Sequence, residues 1–306
     1  MAVVGTRHPL LESAEIEQLQ REVSAYVHRN NRRAVATPYH GPSPSPHRGH
    51  GMDLQDMRPY HPGDDIRHMD WRATARSGRP TTKVFLEERQ RSVLLVVDRR
   101  GPMMFGTRGE LKAASAARCA AILAFAALAV HEAVAGMILN RRPQWFAPSR
   151  TLDGVAPLLR AASAPPVEPA RDTTDGVTLS TVWPQLERHV ARGATIYLIS
   201  DFHEEMQPRE DNRAPIPYSP RHETVAVRIV DPVERNLPAA GRLRLVAPNG
   251  GDTVVIDSDD PAIRERYSEH MHRREERLRM MCNRGGIPLV HVETQRSALR
   301  QLAELL

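Results

Sequence analysis

Three oxygen-bearing side chains stand where an α/β chain would gather them into one crevice: Asp98, Thr178 and Asp201. Asp98 ends the apolar run V-L-L-V-V-D, Ser200-Asp201 ends another, and Thr178 opens a helical pattern. Oxygen ligands of this kind suit Mg²⁺, which keeps several of its waters. In an open α/β sheet, ligands bind outside the carboxyl ends of the strands, which is where these residues fall. Arg99, Arg100 and Pro102 follow Asp98 almost at once. A guanidinium beside Asp98 would sit where a metal cation should, and cation repels cation. The residues predict a metal-free crevice held by an Asp98–arginine pair, with Asp98, Arg99, Arg100, Thr178 and Asp201 offered to a protein partner. The alternative is a site that still holds Mg²⁺ through Asp98, Thr178 and Asp201. Asp201 and Thr178 also have a plainer reading, as helix caps.

A second charged stretch runs from Arg58 to Arg76, R-P-Y-H-P-G-D-D-I-R-H-M-D-W-R-A-T-A-R. Pro62-Gly63 sets a tight turn, and Asp64 and Asp65 can cap exposed amides behind it. Arg58, Arg67 and Arg76 can pair bidentately with Asp64, Asp65 and Asp70. Tyr60 and Trp71 supply the apolar cover that such pairs need to exceed about 1 kcal/mol. The network either welds this module to the rest of the chain or forms a docking surface of its own. His40, His47, His50, His61 and His68 cluster nearby, but without the spacing of a zinc site and with no cysteine close by, so solvated loop histidines are expected. Ser200-Asp201-Phe202-His203 places hydrolase-like residue types in a row, yet adjacency in sequence is not triad geometry. No G-x-x-x-x-G-K-[ST] phosphate loop occurs. The chain is therefore expected not to be an enzyme.

These residues need elements to position them. Leu10 to Arg33 has helical spacing of apolar residues. Gly41 to Gly51 is punctuated by proline and glycine and reads as a linker. Met52 to Gln90 reads as short strands, with Thr81 to Leu86 the clearest. From Arg91 strands and helices alternate. Strands are expected at Ser92–Val97, Val134–Leu139, Ala194–Ser200, Thr224–Val230 and Pro288–Val292. Helices are expected at Leu111–Ala135, Thr151–Ala162, Leu179–Arg192, Pro261–Arg284 and Gln295–Leu306. That rhythm predicts an α/β, doubly wound, mostly parallel sheet, with a β-hairpin inserted at about 231–258. The implied domains are 1–40 (helical), 41–90 (linker and small β module) and 91–306.

With 306 residues, 41% of them hydrophobic, the chain can bury a sizeable core. Net charge is +5 and the pI near 9.6. Lys83 and Lys112 are the only lysines among 42 basic residues. Arginine offers a planar fork to carboxylates and phosphates, although a GC-rich genome would give the same preference. Basic residues are interleaved with acids, which argues against the positive stripe a nucleic-acid binder needs. Cys119 and Cys282 are far apart and form neither a disulfide framework nor a metal spacing. The long apolar stretch Cys119 to Val130 is shorter than the roughly 20 residues of a membrane span. A cytoplasmic protein with no membrane span is expected.

The Asp98, Thr178 and Asp201 set resembles the metal-ion-dependent adhesion site of von Willebrand factor A domains. Those sites carry D-x-S-x-S on the first loop, a threonine on the second and an aspartate on the third. Here Arg100 and Pro102 occupy the two serine positions, so the resemblance implies a degenerate site. The stretch beginning G-H-G-M-D-L and continuing through Arg58–Arg76 resembles the signature of the bacterial domain-of-unknown-function family fifty-eight (DUF58). Arg58, Tyr60, Pro62, Gly63, Asp64, Asp65, Arg67, Asp70, Trp71, Ala75 and Arg76 match it, while Asp53-Leu54 replace the usual Glu-Phe. Phe105-Gly106, Ser200-Asp201-Phe202, Asp231-Pro232 with Glu234, and Leu237-Pro238 match further on. The resemblance covers about residues 45 to 306. It implies a von Willebrand-like domain acting as an adaptor beside a MoxR-type AAA+ ATPase, toward an unknown client.

Overall fold

The computed structural model describes residues 10–36, 53–61, 66–86, 92–107, 110–165, 177–206, 216–246 and 253–306. The chain divides into two compact units, Met1–Asn30 with Arg91–Leu306, and Asn31–Gln90.

The larger unit is a mixed α/β structure around a mostly parallel six-stranded sheet. Strands β3 (Ser92–Asp98), β4 (Ala133–Leu139), β5 (Gln144–Ser149), β6 (Thr195–Ser200), β7 (Glu223–Val230) and β10 (Leu289–Glu293) lie in the order β10-β7-β6-β3-β4-β5. All neighbours are parallel except the pair β4–β5. β3 lies near the middle and is buried on both faces, as its unbroken apolar run requires. Val93, Leu95 and Val97 join one core cluster, while Leu94 and Val96 join the other. The first cluster packs residues of α1 (Ser13–Ala36), α3 (Lys112–Ala129), α4 (Leu152–Ala162) and α7 (Ala298–Gln301). The second packs residues of α5 (Leu179–His189) and α6 (Pro261–Arg284).

Several boundaries differ from expectation, each for a physical reason. The amino-terminal helix is no separate segment, because Leu11, Leu19, Val23 and Val27 are buried in the sheet unit's first cluster. α3 stops at Ala129 rather than Ala135. His131, at φ 62, makes the left-handed turn that ends it; a non-glycine stop of this kind leaves little trace in sequence. β5 has no counterpart among the expected strands. It is a short antiparallel edge strand containing Pro148, a residue tolerated at edges. α3 is long and apolar enough to cross a membrane by length and composition, but most of it is buried in the sheet unit's core. The carboxyl-terminal helix is one turn followed by a 3₁₀ turn, Ala303–Leu305. The expected hairpin is present as β8 (Arg242–Val246) and β9 (Thr253–Asp257), in a sheet of its own.

In the smaller unit β1 (Asp53–Pro59) pairs antiparallel with β2 (Thr81–Leu86). A 3₁₀ turn at Ile66–His68 and α2 (Trp71–Ser77) lie between them in the chain, where only strands were expected. α2 carries its own start and stop signals. The Asp70 carboxylate accepts from the amides of Arg72 and Ala73 at 3.0 and 2.9 Å, and Gly78 closes the helix at φ 67.

Packing of α1 into the core gives a test. Leu19→Ala should lower unfolding free energy by about 2–4 kcal/mol, as truncation of a buried leucine does. Urea denaturation measures it, and a loss near zero would mean that α1 does not belong to the cooperative unit.

Candidate functional site

At the carboxyl end of β3 two consecutive arginines turn opposite ways. Arg99 reaches the end of α4, donating to the carbonyls of Ala161, Ala162, Ala164 and Pro165 at 3.1, 2.5, 2.7 and 3.2 Å. It satisfies orphan carbonyls at a helix terminus whose dipole favours a cation. Arg100 turns inward. Its Nε and Nη2 donate to the two oxygens of Asp98 at 3.0 and 2.7 Å. Its Nη1 and Nη2 donate to the two oxygens of Glu205, both at 3.1 Å, and Nη1 also donates to the Val177 carbonyl at 3.1 Å. All five guanidinium N–H donors are thereby satisfied. Asp98 is 1% exposed, Glu205 1% and Arg100 4%, so the pairing takes place away from water. Burial alone would lower the basicity of Arg100, but Asp98 and Glu205 reverse this and raise its pKa. Ser200 completes the group, donating to Asp98 Oδ2 at 2.5 Å and accepting from the Phe202 amide at 2.9 Å.

A second buried cation lies close by. Lys112, the first residue of α3, places Nζ 2.5 Å from Asp201 Oδ2 and 2.6 Å from Glu234 Oε1. It also stands 5.6 Å from the centre of the Phe105 ring. The loop before it is tight: the Lys112 amide donates to the Phe105 carbonyl, and a Cβ at Gly106 would fall 1.8 Å from the Glu110 carbonyl oxygen. Glu234 Oε2 accepts from the Asp231 amide, and the Asp231 carboxylate accepts from Thr107 Oγ1 at 2.6 Å. Burial pushes Asp201 up, but Lys112 and the His203 amide outweigh it and hold the carboxyl at about 2. Burial pushes Lys112 down, and Asp201 and Glu234 outweigh that in turn, so its pKa is raised.

Phe202 makes the geometry possible. It is fully buried with φ 56, a left-handed conformation that costs a bulky residue about 1–2 kcal/mol. The turn it makes lets Ser200 hold Asp98 and Asp201 reach Lys112, while Glu205, a few residues on, returns to Arg100. At the rim, His203 Nδ1 accepts from Arg274 Nη2 of α6 at 2.9 Å. Burial, helped by Arg274, holds that imidazole at about 4, hence neutral near pH 7. Glu204 is half-buried beside it, its carboxyl raised by burial.

The structure thus joins Asp98 with Arg100, and Asp201 with Lys112. It does not bring Thr178 to either. That hydroxyl caps α5, accepting from the Thr181 amide at 3.4 Å and meeting Ser180 Oγ at 2.9 Å. Among the described residues no group of three or more His, Cys, Asp or Glu is arranged to hold a metal ion. Glu205, Lys112, Glu234 and Arg274 were not singled out as site residues. Lys112 had one signal, its rarity, and Glu234 had its place in the resemblance. In the Arg58–Arg76 stretch, Pro62, Gly63, Asp64 and Asp65 lie outside the described residues, as do His40, His47, His50 and the side chains of Arg58 and His68. Tyr60 is half-buried, and Arg67 and Arg76 are exposed. Asp70 caps α2. One expectation is corrected there: Trp71 is 66% exposed instead of covering ion pairs.

Two predictions follow from the buried cations. Arg100→Met strands two carboxylates, which costs about 3–5 kcal/mol. Burial already raises the Glu205 carboxyl above its ordinary value with Arg100 opposing it, and removing the guanidinium raises it further. The loss should therefore be largest near pH 7 and shrink toward pH 5, as urea melts at both values would show. In the wild type, the depressed Asp201 contributes stability above its ordinary value of 3.8 that disappears as pH falls toward about 2. That acid limb amounts to roughly 2 kcal/mol and should be missing from Lys112→Met, by thermal unfolding between pH 5 and 2.

Residues 56–277 match the family described as protein of unknown function DUF58. Uncharacterized proteins of Mycobacterium bovis and Mycobacterium tuberculosis are 29% identical over 255 residues, covering 83% of this chain and 78% of theirs. Two solved structures show a distant likeness. A conserved hypothetical protein BatB from Bacteroides thetaiotaomicron aligns with a TM-score of 0.40 at 10% identity, over 70% of this chain and 95% of its own. An uncharacterized membrane-spanning protein from Vibrio fischeri aligns with a TM-score of 0.22 at 14% identity, over the same shares. Scores this low do not establish a shared topology. The family match takes in Arg100, Lys112, Asp201, Glu205 and Glu234 with their partners, and on its extent this chain belongs to the DUF58 family.

Proposed function

We propose that this chain is a non-enzymatic interaction protein that works in the cytoplasm as an adaptor for a MoxR-type AAA+ ATPase. On this reading the sheet unit is a doubly wound, von Willebrand-like domain whose adhesion site carries its own cations. A mostly parallel sheet with core clusters on both faces supports the fold, and the expected Asp98–arginine pair supports the degenerate site. One observation carries the reading: the Arg100 guanidinium fills the seat beside Asp98 with every donor engaged. A ligand that needs a bridging metal would first have to displace a covalently attached, fully bonded cation. A ligand that needs none would meet the crevice as it stands.

The partner surface changes in detail. Asp98, Arg100 and Asp201 are buried, so a partner would touch the rim above them. His203, Glu204 and Arg274 are the half-buried groups there. The buried pairs then hold that rim in shape.

The test is capture of the native ATPase on immobilised full-length chain, with Mg²⁺ and with excess EDTA, in nucleotide-free buffer. Equal capture of an AAA+ ATPase in both is expected, with at least a tenfold loss for Glu204→Arg. Failure to recover any AAA+ ATPase sinks the adaptor reading. Capture abolished by EDTA sinks the metal-free crevice.

A further inference from the structure

β8 and β9 form a two-stranded sheet with no third strand on either edge among the described residues. An isolated hairpin is at best marginally stable in water; this one is anchored at its base, where Ser258 is buried and Arg264 donates to its carbonyl, while its edges stay unpaired among the described residues. Its two faces and two edges are unlike. Leu243 pairs with Ile256 and Leu245 with Val254, which places all four on one apolar face. That face stays in contact with water, Val254 being 55% exposed and Leu245 40%. Val255 stands on the opposite face and is 64% exposed. Along one edge, β8 (R-L-R-L-V) carries Arg242 and Arg244. Along the other, β9 (T-V-V-I-D) is β-branched and uncharged until Asp257. Proteins blunt exposed edges with charge, proline or bulges. β8 is blunted in this way, whereas β9 has only the charge of Asp257 at its end.

We propose that β9 pairs antiparallel with β9 of a second copy of this chain, about a two-fold axis through Val255, to make one four-stranded sheet. The register follows from the sequence. Val255 faces its own counterpart, Val254 faces the second copy's Ile256, and Thr253 faces the second copy's Asp257. No like charges meet. Val254 and Ile256 of both copies then lie side by side, and the two apolar faces merge into one. The same operation on β8 would set Arg244 against Arg244, and like charges directly opposite destabilise a sheet. The charge pattern therefore selects the β9 edge, and the isologous contact closes at two copies. This surface shares no residue with the Arg100 ion cluster, and the inference is independent of the adaptor reading.

Sedimentation equilibrium on the full chain, from low to high micromolar concentration, tests it. The wild type should be dimeric. Val255→Lys and Val255→Asp should each be monomeric where the wild type is dimeric, because each places two like charges across the axis. Residue 255 is exposed and lies opposite Arg244 in the hairpin, so Val255→Lys costs the hairpin some stability and Val255→Asp does not; wild-type helical circular dichroism in both shows that the sheet unit still folds. Mixed in equal amounts, the two variants should regain the dimer, a rescue that only direct opposition of the two residues predicts. Val255→Cys should form a disulfide-linked dimer on mild oxidation, since opposed Cα atoms lie about 4.5–5.5 Å apart, within disulfide reach. A monomeric wild type at every concentration overturns the proposal, including one that instead binds an extended peptide from another protein. Single-charge variants that stay dimeric, or a mixture that stays monomeric, overturn it equally.

Discussion

A buried charge must be matched where it sits, and that constraint organises the larger unit of this protein. Arg100 and Lys112 are almost wholly removed from water. An isolated ion so placed would face a penalty of several kcal/mol, so carboxylates have to converge on it. Asp98 and Glu205 meet the first, Asp201 and Glu234 the second. Those four residues come from the end of β3, the turn after β6 and the 3₁₀ turn after β7. Holding them together fixes the ends of three neighbouring strands relative to one another. The strained φ of Phe202 belongs to the same requirement, since it lets one short loop serve both cations.

The central sheet was legible where one signal dominated. S-V-L-L-V-V-D could only be a strand buried on both faces, and its terminal aspartate had to emerge at the crevice. The Asp98–arginine pair was legible too, because the partners are two residues apart in sequence. Glu205 was not, because it meets Arg100 across 105 residues and only through the left-handed turn at Phe202. Lys112 and Asp201 are 89 residues apart, and residue type alone says nothing of such a meeting. The misplaced end of α3 has the same root. Alanine continues through Ala133 and Ala135, and His131 supplies the stop that glycine or proline would have announced. α2 does carry a sequence signal, for Asp70 and Gly78 are ordinary cap residues at the right spacing. The strand pattern around them masked the signal.

Thr178 shows how one residue type can serve two readings. A threonine at that place in the order suits a metal loop, and also a helix start. Here its hydroxyl goes to the backbone of α5, and the polar contacts of the loop come from Val177, whose carbonyl meets Arg100, and from the Leu179 amide, which donates to Glu205. The loop thus contributes to the crevice through its backbone.

The inward turn of Arg100 has one more consequence. A diffusible ion obeys mass action, so its residence reports the composition of the surroundings. A cation joined to the main chain cannot diffuse away, so it stays beside Asp98 for as long as this loop keeps its fold. The seat beside Asp98 therefore changes its occupant only when the polypeptide itself moves.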